Sequence, residues 1–357
     1  MQPRTGLARF LVYVLLILCS AVFLFPLFWL LATSLKPIEQ TMSFPPSWVP
    51  LAHYATIAGQ RMEVTLDRRD RESPETWQVT ERSPTKIHAH VLATAILPKS
   101  EIETRMRPRW ENYRIALATM GGRSIEEAEG TVPSRQTGIG QDTVVSFEVF
   151  LRNTLIVCVL SVLGVVLSNA IIAYGFAKIR WKGRDTVFAL TLATMMIPFP
   201  VLMVPLYGVF KWLGWIGSLK PLWVPAFFGS AFNIFLIRQF FRTLPEELSE
   251  AARIDGCNEW QIFWRIILPL SKPVLAVVAL FHFLSAWNDF LGPLLFLTRK
   301  HTFTLALALQ NYQSQAGGVQ WHHLMAASAV VILPIIVLFF FTQKSFIQGI
   351  STTGVKG

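Results

Sequence analysis

Six long, charge-poor apolar runs constrain this chain more than any other feature: residues 10–35, 153–177, 186–210, 221–237, 273–296 and 324–343. A helix needs about 20 apolar residues to cross the hydrocarbon of a bilayer, and only the fourth run falls short of that. Lipid offers no partner to backbone N–H and C=O groups, so such runs are predicted to be helices. The expected class is therefore an all-α membrane protein with six transmembrane helices. Composition agrees, since 52% of the 357 residues are hydrophobic and 15% are charged, too apolar for a water-soluble enzyme of this length.

The formal charge of +10 is not laid out like a nucleic-acid surface. Between Pro37 and Phe147, 13 basic and 14 acidic residues nearly cancel. The excess sits elsewhere, at Arg4, Arg9, Lys178, Arg180, Lys182, Arg184, Arg238, Arg242, Arg253, Arg265, Lys272, Lys344 and Lys356, all on one side if the N-terminus is cytoplasmic. The positive-inside rule then puts both termini and the polar loop 238–272 in the cytoplasm. The first run exceeds the roughly 7 to 15 apolar residues of a secretory signal and has no small-x-small cleavage site after it, so it is expected to stay as a span. Cys19, Cys158 and Cys257 lie in two spans and that polar loop, which implies neither a disulfide framework nor a metal site.

These features divide the chain into residues 1–36 (N-terminus and first span), 37–147 (outer soluble segment), 148–346 (five-span core) and 347–357 (tail). Within the outer segment, about residues 52–109 alternate apolar and polar positions in short runs broken by Pro74, Pro84 and Pro98, predicting a small β-rich outer insertion. His88 and His90 alternate along one such run, but without a Cys or third ligand nearby they read as exposed histidines. Gly121–Gly140 is polar and Gly-rich, and is expected to be mobile.

The stretch Thr243–Pro273 is polar between two spans and reads as helix, turn, helix. Thr243 with Glu246 is the expected first cap, with Pro245 in the first turn. Gly256 supplies a left-handed turn, Asn258 with Gln261 a second cap, and Pro269 and Pro273 the stop. Leu248, Ala251, Ala252 and Asp255 share one narrow, small-sided face, with Glu250 beside it. From spacing alone, both a plain hairpin and a docking element remain open.

Glu250, Ala251, Ala252, Asp255, Gly256, Phe263, Ile267, Leu268, Pro269 and Pro273 resemble the EAA motif of the membrane subunits of binding-protein-dependent ABC importers. Thr33–Pro37, the stretch Trp287, Asn288, Asp289, Phe290 and Pro293, and the tail Gly354–Gly357 resemble the carbohydrate-type (maltose/glycerol-phosphate-like) inner-membrane permease subunits of that group. So do Pro45, Pro46, Trp48 and Pro50 with Trp110–Tyr113, except that roughly 55 extra residues separate the two halves here. The resemblance implies a cytoplasmic coupling helix in which Glu250, Ala251, Ala252, Asp255, Gly256 and Pro269 meet an ATPase. It also implies a second permease subunit, two ATPase subunits holding ATP and Mg, an external substrate-binding protein delivering a sugar or polyol, an inner-membrane location, and no cofactor on this chain.

Candidates for the translocation pathway are Asn233, Trp287, Asn288 and Asp289; Asp289 is the one acidic residue inside a predicted span. Asp289 has two readings: a functional carboxylate, or a hydrogen-bond acceptor for backbone freed by Pro293. Pro198, Pro200 and Pro205 are expected to kink the third span and require it to be buried by protein. Gln310, Asn311 and Tyr312, in an uncharged stretch read as an outer loop, are candidates for contact with substrate or receptor. No GxxxxGK[ST], HExxH or GxSxG pattern occurs, so an enzyme is not expected and ATP hydrolysis is assigned to separate subunits. The alternatives are an ion-coupled carrier or channel using Asp289, a peptide or polyamine-like ABC permease, and a sensor or scaffold.

Overall fold

A computed structural model describes residues 6–43, 46–69, 76–81, 94–123, 127–128, 144–315 and 320–351. His88, His90, most of Gly121–Gly140 and the tail Gly354–Gly357 lie outside these described residues. The chain divides into two compact units, Met1–Val144 with Asn311–Ile332, and Val145–Gln310 with Leu333–Gly357.

The first unit begins with α1 (Gly6–Ser34), whose most apolar 18-residue window is unburied among the described residues, while Thr33 and Ser34 at its end are buried. After it comes a five-stranded antiparallel sheet: β1 (Leu51–Ile57), β2 (Gln60–Arg69), β3 (Thr76–Glu81), β4 (Thr94–Pro98) and β5 (Glu103–Met106), in spatial order β4-β3-β2-β1-β5. The expected β-rich insertion is thus one meander whose fifth strand returns to the free edge of β1. Ala58 (φ 53°) and Gly59 (φ 80°) form the two-residue β1–β2 turn, where positive φ at both positions matches the strand twist. Alternation places Ala55 and Ile57, Met62, Val64 and Leu66, and Trp77 and Val79 on one face, which forms the sheet's own core. Helix α2 (Glu111–Met120) is pinned to the end of α1: Asn112 Nδ2 donates to the carbonyls of Ser34 (2.8 Å) and Lys36 (2.9 Å).

The second unit is built on α3 (Phe147–Ala177). Around it lie α4 (Arg184–Ala193), α5 (Phe199–Trp212), α6 (Ala231–Thr243), α7 (Glu247–Ile254), α8 (Glu259–Ile262), α9 (Lys272–Trp287) and α10 (Leu291–Phe296). The helical path of α8 continues through a π turn, Phe263–Ile267, to Leu270. Small residues allow close packing on α3; a Cβ on Gly164 would lie 2.6 Å from the Phe227 ring. Asn169 Oδ1 accepts from the N–H of Ser230 (2.7 Å), serving the start of α6 just after the Gly229 break (φ 91°). The chain closes with α11 (Leu305–Gln315) and α12 (Trp321–Ser351).

Among the described residues, four helical stretches are long and apolar enough to cross a membrane: Arg9–Ser34, Phe147–Ala177, Lys220–Thr243 and Trp321–Thr342. Two bent pairs, Arg184–Met196 with Phe199–Trp212 (99°) and Glu259–Leu270 with Lys272–Trp287 (76°), raise the number to six. The first bend has a local cause, since Pro198 drives Ile197 out of the helical region to φ −82°, ψ 112°. The kink is as predicted, but the expected cover by protein is not found among the described residues: Met196 (84% exposed) and Val204 (80%) face outward around the bend. The stretch expected as a loop before the last span is helical as α11, because Leu305, Leu307 and Ala308 have a core to enter and Thr154 Oγ1 accepts from the N–H of Leu305 (2.9 Å).

Candidate functional site

The polar hairpin is shaped by its turn. Helix α7 ends in two reverse bonds, Cys257 N–H to the Ala252 carbonyl (2.9 Å) and Gly256 N–H to the Arg253 carbonyl (3.1 Å), with Gly256 at φ 81°. This is a Schellman ending, which needs a left-handed residue at that position. Asn258 and Gln261 then form a reciprocal capping box at α8 (2.8 and 2.9 Å), as their spacing predicts.

The first cap differs from expectation. Thr243 is the last residue of α6 and its Oγ1 donates to the Phe240 carbonyl (2.7 Å), while Glu246 occupies the N-cap of α7 without a side-chain cap bond. Pro245 fixes Leu244 as extended (ψ 131°), so α6 cannot run on and α7 must restart. Lys178 does the fastening instead: its buried Nζ donates to the Leu244 carbonyl (2.8 Å) and to Glu246 Oε2 (3.2 Å).

A second clamp holds the far side of the hairpin. Tyr174 OH donates to Glu259 Oε2 (2.6 Å) and Arg253 Nε donates to Glu259 Oε1 (3.0 Å). That bond to Glu259 raises the pKa of the Arg253 guanidinium above its ordinary value. Lys178, Arg180, Glu246, Glu250, Arg253 and Glu259 share a cavity of about 340 Å³ with Ile179. Nothing in the sequence marks Lys178, Tyr174 or Glu259 for this role, since their partners lie 66 to 85 positions away.

The predicted face of α7 splits. Ala252 is buried, with Ser249, against the core formed by Ile262, Phe263, Ile237 and Phe241, whereas Leu248, Glu250, Ala251, Asp255 and Gly256 are exposed. Ile254, at the tip, is 87% exposed. Pro269 is exposed two residues before the bend at Ser271. The hairpin therefore locks one side into the helix bundle and leaves small and acidic side chains facing out, together with Leu248 and Ile254.

A second candidate lies at the C-terminal end of α9. Asn288 and Asp289 line a cavity of about 400 Å³ with His282, Ser285, Ala286, Phe290, Val157, Leu222 and Leu291. Asp289 Oδ1 accepts from the N–H of Gly292 (3.1 Å), and Asn288 Nδ2 donates to the Leu284 carbonyl (2.8 Å). Trp287 points away, buried and stacked on Phe283 (5.5 Å), and Asn233 is buried in α6, so neither joins this cavity. His282 and Ser285 went unpredicted, although their i, i+3 and i+7 spacing with Asp289 places them on one face. Gln310, Asn311 and Tyr312 lie on α11, with Gln310 exposed.

Residues 148–352 match the family described as binding-protein-dependent transport system inner membrane component. Among curated relatives, the arabinooligosaccharides transport system permease protein AraQ of Bacillus subtilis (strain 168) is 38% identical over 189 residues, 53% of this chain and 66% of that protein. The sn-glycerol-3-phosphate transport system permease protein UgpE of Yersinia enterocolitica is 33% identical over 60% of this chain and 75% of its own length. The trehalose/maltose transport system permease protein MalG of Thermococcus litoralis is 30% identical over 60% and 78%. The fold is also similar to a solved bacterial ABC transporter involved in import of the acidic polysaccharide alginate, with a TM-score of 0.60 at 19% identity, covering 96% of this chain and 98% of that one. With the family's match covering the helix bundle, its hairpin and the α9 cavity alike, this chain belongs to the binding-protein-dependent transport system inner membrane components, the permease subunits of ABC importers.

Proposed function

We propose that this chain is one half of a transmembrane pathway that imports a sugar or related polyol, driven by separate ATPase subunits gripping the α7 hairpin from the cytoplasm. The observation that carries the reading is the hairpin itself. Its inner side is anchored by Ala252, Lys178 and Tyr174, so a force applied to the exposed Glu250, Ala251, Asp255 and Gly256 reaches α6 and α9 through packed side chains. Two ATPase subunits holding ATP and Mg, a second permease subunit and an external binding protein complete the assembly. Both termini lie in the cytoplasm and the sheet insertion lies outside.

The α9 cavity supports a hydroxylated solute. Asn288, Ser285, His282 and Asp289 offer both donors and acceptors beside the apolar Phe290 and Leu291, which suits a sugar with polar edges and an apolar face. The relatives' names point the same way, to arabinooligosaccharides, glycerol phosphate and trehalose or maltose.

Purification through a tag on this chain, followed by reconstitution in vesicles, tests the reading. Uptake of a saccharide that requires ATP, the co-purifying ATPase and the binding protein is expected. Uptake that follows an ion gradient in vesicles lacking the ATPase would overturn it in favour of a carrier using Asp289.

A further inference from the structure

Three large apolar side chains of the outer segment, Met42 (71% exposed), Trp48 (51%) and Trp110 (67%), are exposed at the base of the sheet insertion, near the end of α1. They are not an unfilled core, since the sheet already buries Val64 and Val79.

Hydrogen bonds fix where this base sits. Arg109 N–H donates to the Leu35 carbonyl (3.0 Å), and the Tyr113 hydroxyl, 2.8 Å from Ser34 Oγ, belongs to the ring that stacks on Trp110 (6.0 Å). On the other flank the chain turns back along the helix. Trp48 packs edge-on against Trp29 (5.2 Å) and Phe25 (5.5 Å), and Phe25 precedes Ser34 by about 13 Å of helix rise. Trp48 therefore lies below the point where the chain left α1.

Depth follows from length. The apolar stretch Arg9–Ser34 has 26 residues, about 39 Å of helix, against about 30 Å of hydrocarbon. Its ends must reach into the interfacial layers, where Trp and Tyr are favoured because one edge is apolar and the other wet. Lys36, fully buried with its Nζ 4.3 Å over the Trp29 ring, and the half-exposed Arg107, paired to Glu63 (2.8 Å), put cations at the same level.

We propose that the base of the sheet insertion is a lipid anchor: Met42, Trp48 and Trp110 lie in the bilayer interface beside the end of α1, with Arg107 facing the phosphate layer. The occupant is lipid, because this surface continues α1, whose apolar window is unburied among the described residues. Anchored in this way, the insertion holds a fixed height over the membrane. The proposal rests on α1 crossing the bilayer and not on the transported solute.

Nitroxide labels on the assembled transporter test it. Cys19, Cys158 and Cys257 are first replaced, and single cysteines are introduced as Met42→Cys, Trp48→Cys and Trp110→Cys, with Leu16→Cys as a span control. Thr56→Cys, exposed toward the far end of β1, is the water control. In phosphatidylcholine/phosphatidylglycerol vesicles, labels at 42, 48 and 110 are expected to favour oxygen over a water-soluble nickel chelate several-fold more than the label at 56. A nickel-favoured signal matching position 56, or shielding from both reagents as a protein cover would give, overturns the proposal. The outcome at 16 shows separately whether α1 is in lipid. Positions 42 and 110 keep the readout if loss of Trp48 disturbs its neighbours.

Discussion

Lys178 and Leu244 meet across 66 residues of chain: the lysine Nζ donates to the leucine carbonyl at 2.8 Å, just where α6 ends and the hairpin begins. A carbonyl left over at a helix end is a backbone acceptor that needs a partner. A cation supplied from the end of α3 serves it and ties the two elements together.

Lys178→Met tests this tie. The variant leaves the Leu244 carbonyl unpaired, which costs about 1–3 kcal/mol. The expected outcome is a lower melting temperature for the purified complex and faster proteolysis within 244–258, with uptake falling more than ATP hydrolysis. Unchanged melting and proteolysis would show the contact to be incidental.

Gly256→Val addresses the turn. A Cβ there meets nothing within 4 Å, so the penalty is the left-handed backbone alone, about 1–2 kcal/mol. Uptake is expected to fall about tenfold, the equivalent of 1.4 kcal/mol, while the complex still assembles and hydrolyses ATP. Gly256→Asn, which tolerates that conformation better, is expected to fall in between.

At the α9 cavity, two substitutions of Asp289 separate its structural and functional roles. Asp289→Asn keeps an acceptor for the Gly292 N–H and should preserve yield while reducing uptake. Asp289→Ala removes the acceptor and should lower both. Equal, normal uptake in Asp289→Asn at reduced yield would assign the carboxylate to packing.

Gly164→Ala adds a methyl 2.6 Å from the Phe227 ring. Overpacking of this kind costs about 1–3 kcal/mol, and a second substitution, Phe227→Leu, is expected to recover part of it. Thermal unfolding of the single and double variants provides the measurement.

The residues of the hairpin turn were legible because their signals are local. Gly256 and the Asn258–Gln261 pair act over three or four residues, and their spacing alone specifies the geometry found. The Thr243 cap was misplaced because a hydroxyl near a helix boundary serves either the helix ending or the one starting, and Pro245 settled the choice by holding Leu244 extended. His282 went unnoticed for another reason: one histidine in an apolar run has no local signature until the cavity beside Asp289 is formed.

Hydrophobic runs, charge asymmetry and turn residues determined that this chain is a helical membrane protein with a polar hairpin and a strand-rich insertion, since each depends on solvent preference or short-range backbone geometry. Only the tertiary structure decided that Ala252 turns inward while Ala251 and Glu250 face out, that Lys178 and Tyr174 hold the hairpin, and that Asn288 and Asp289 share a cavity from which Trp287 and Asn233 are absent. Those outcomes depend on which distant surfaces meet, and sequence spacing carries no record of partners scores of residues away.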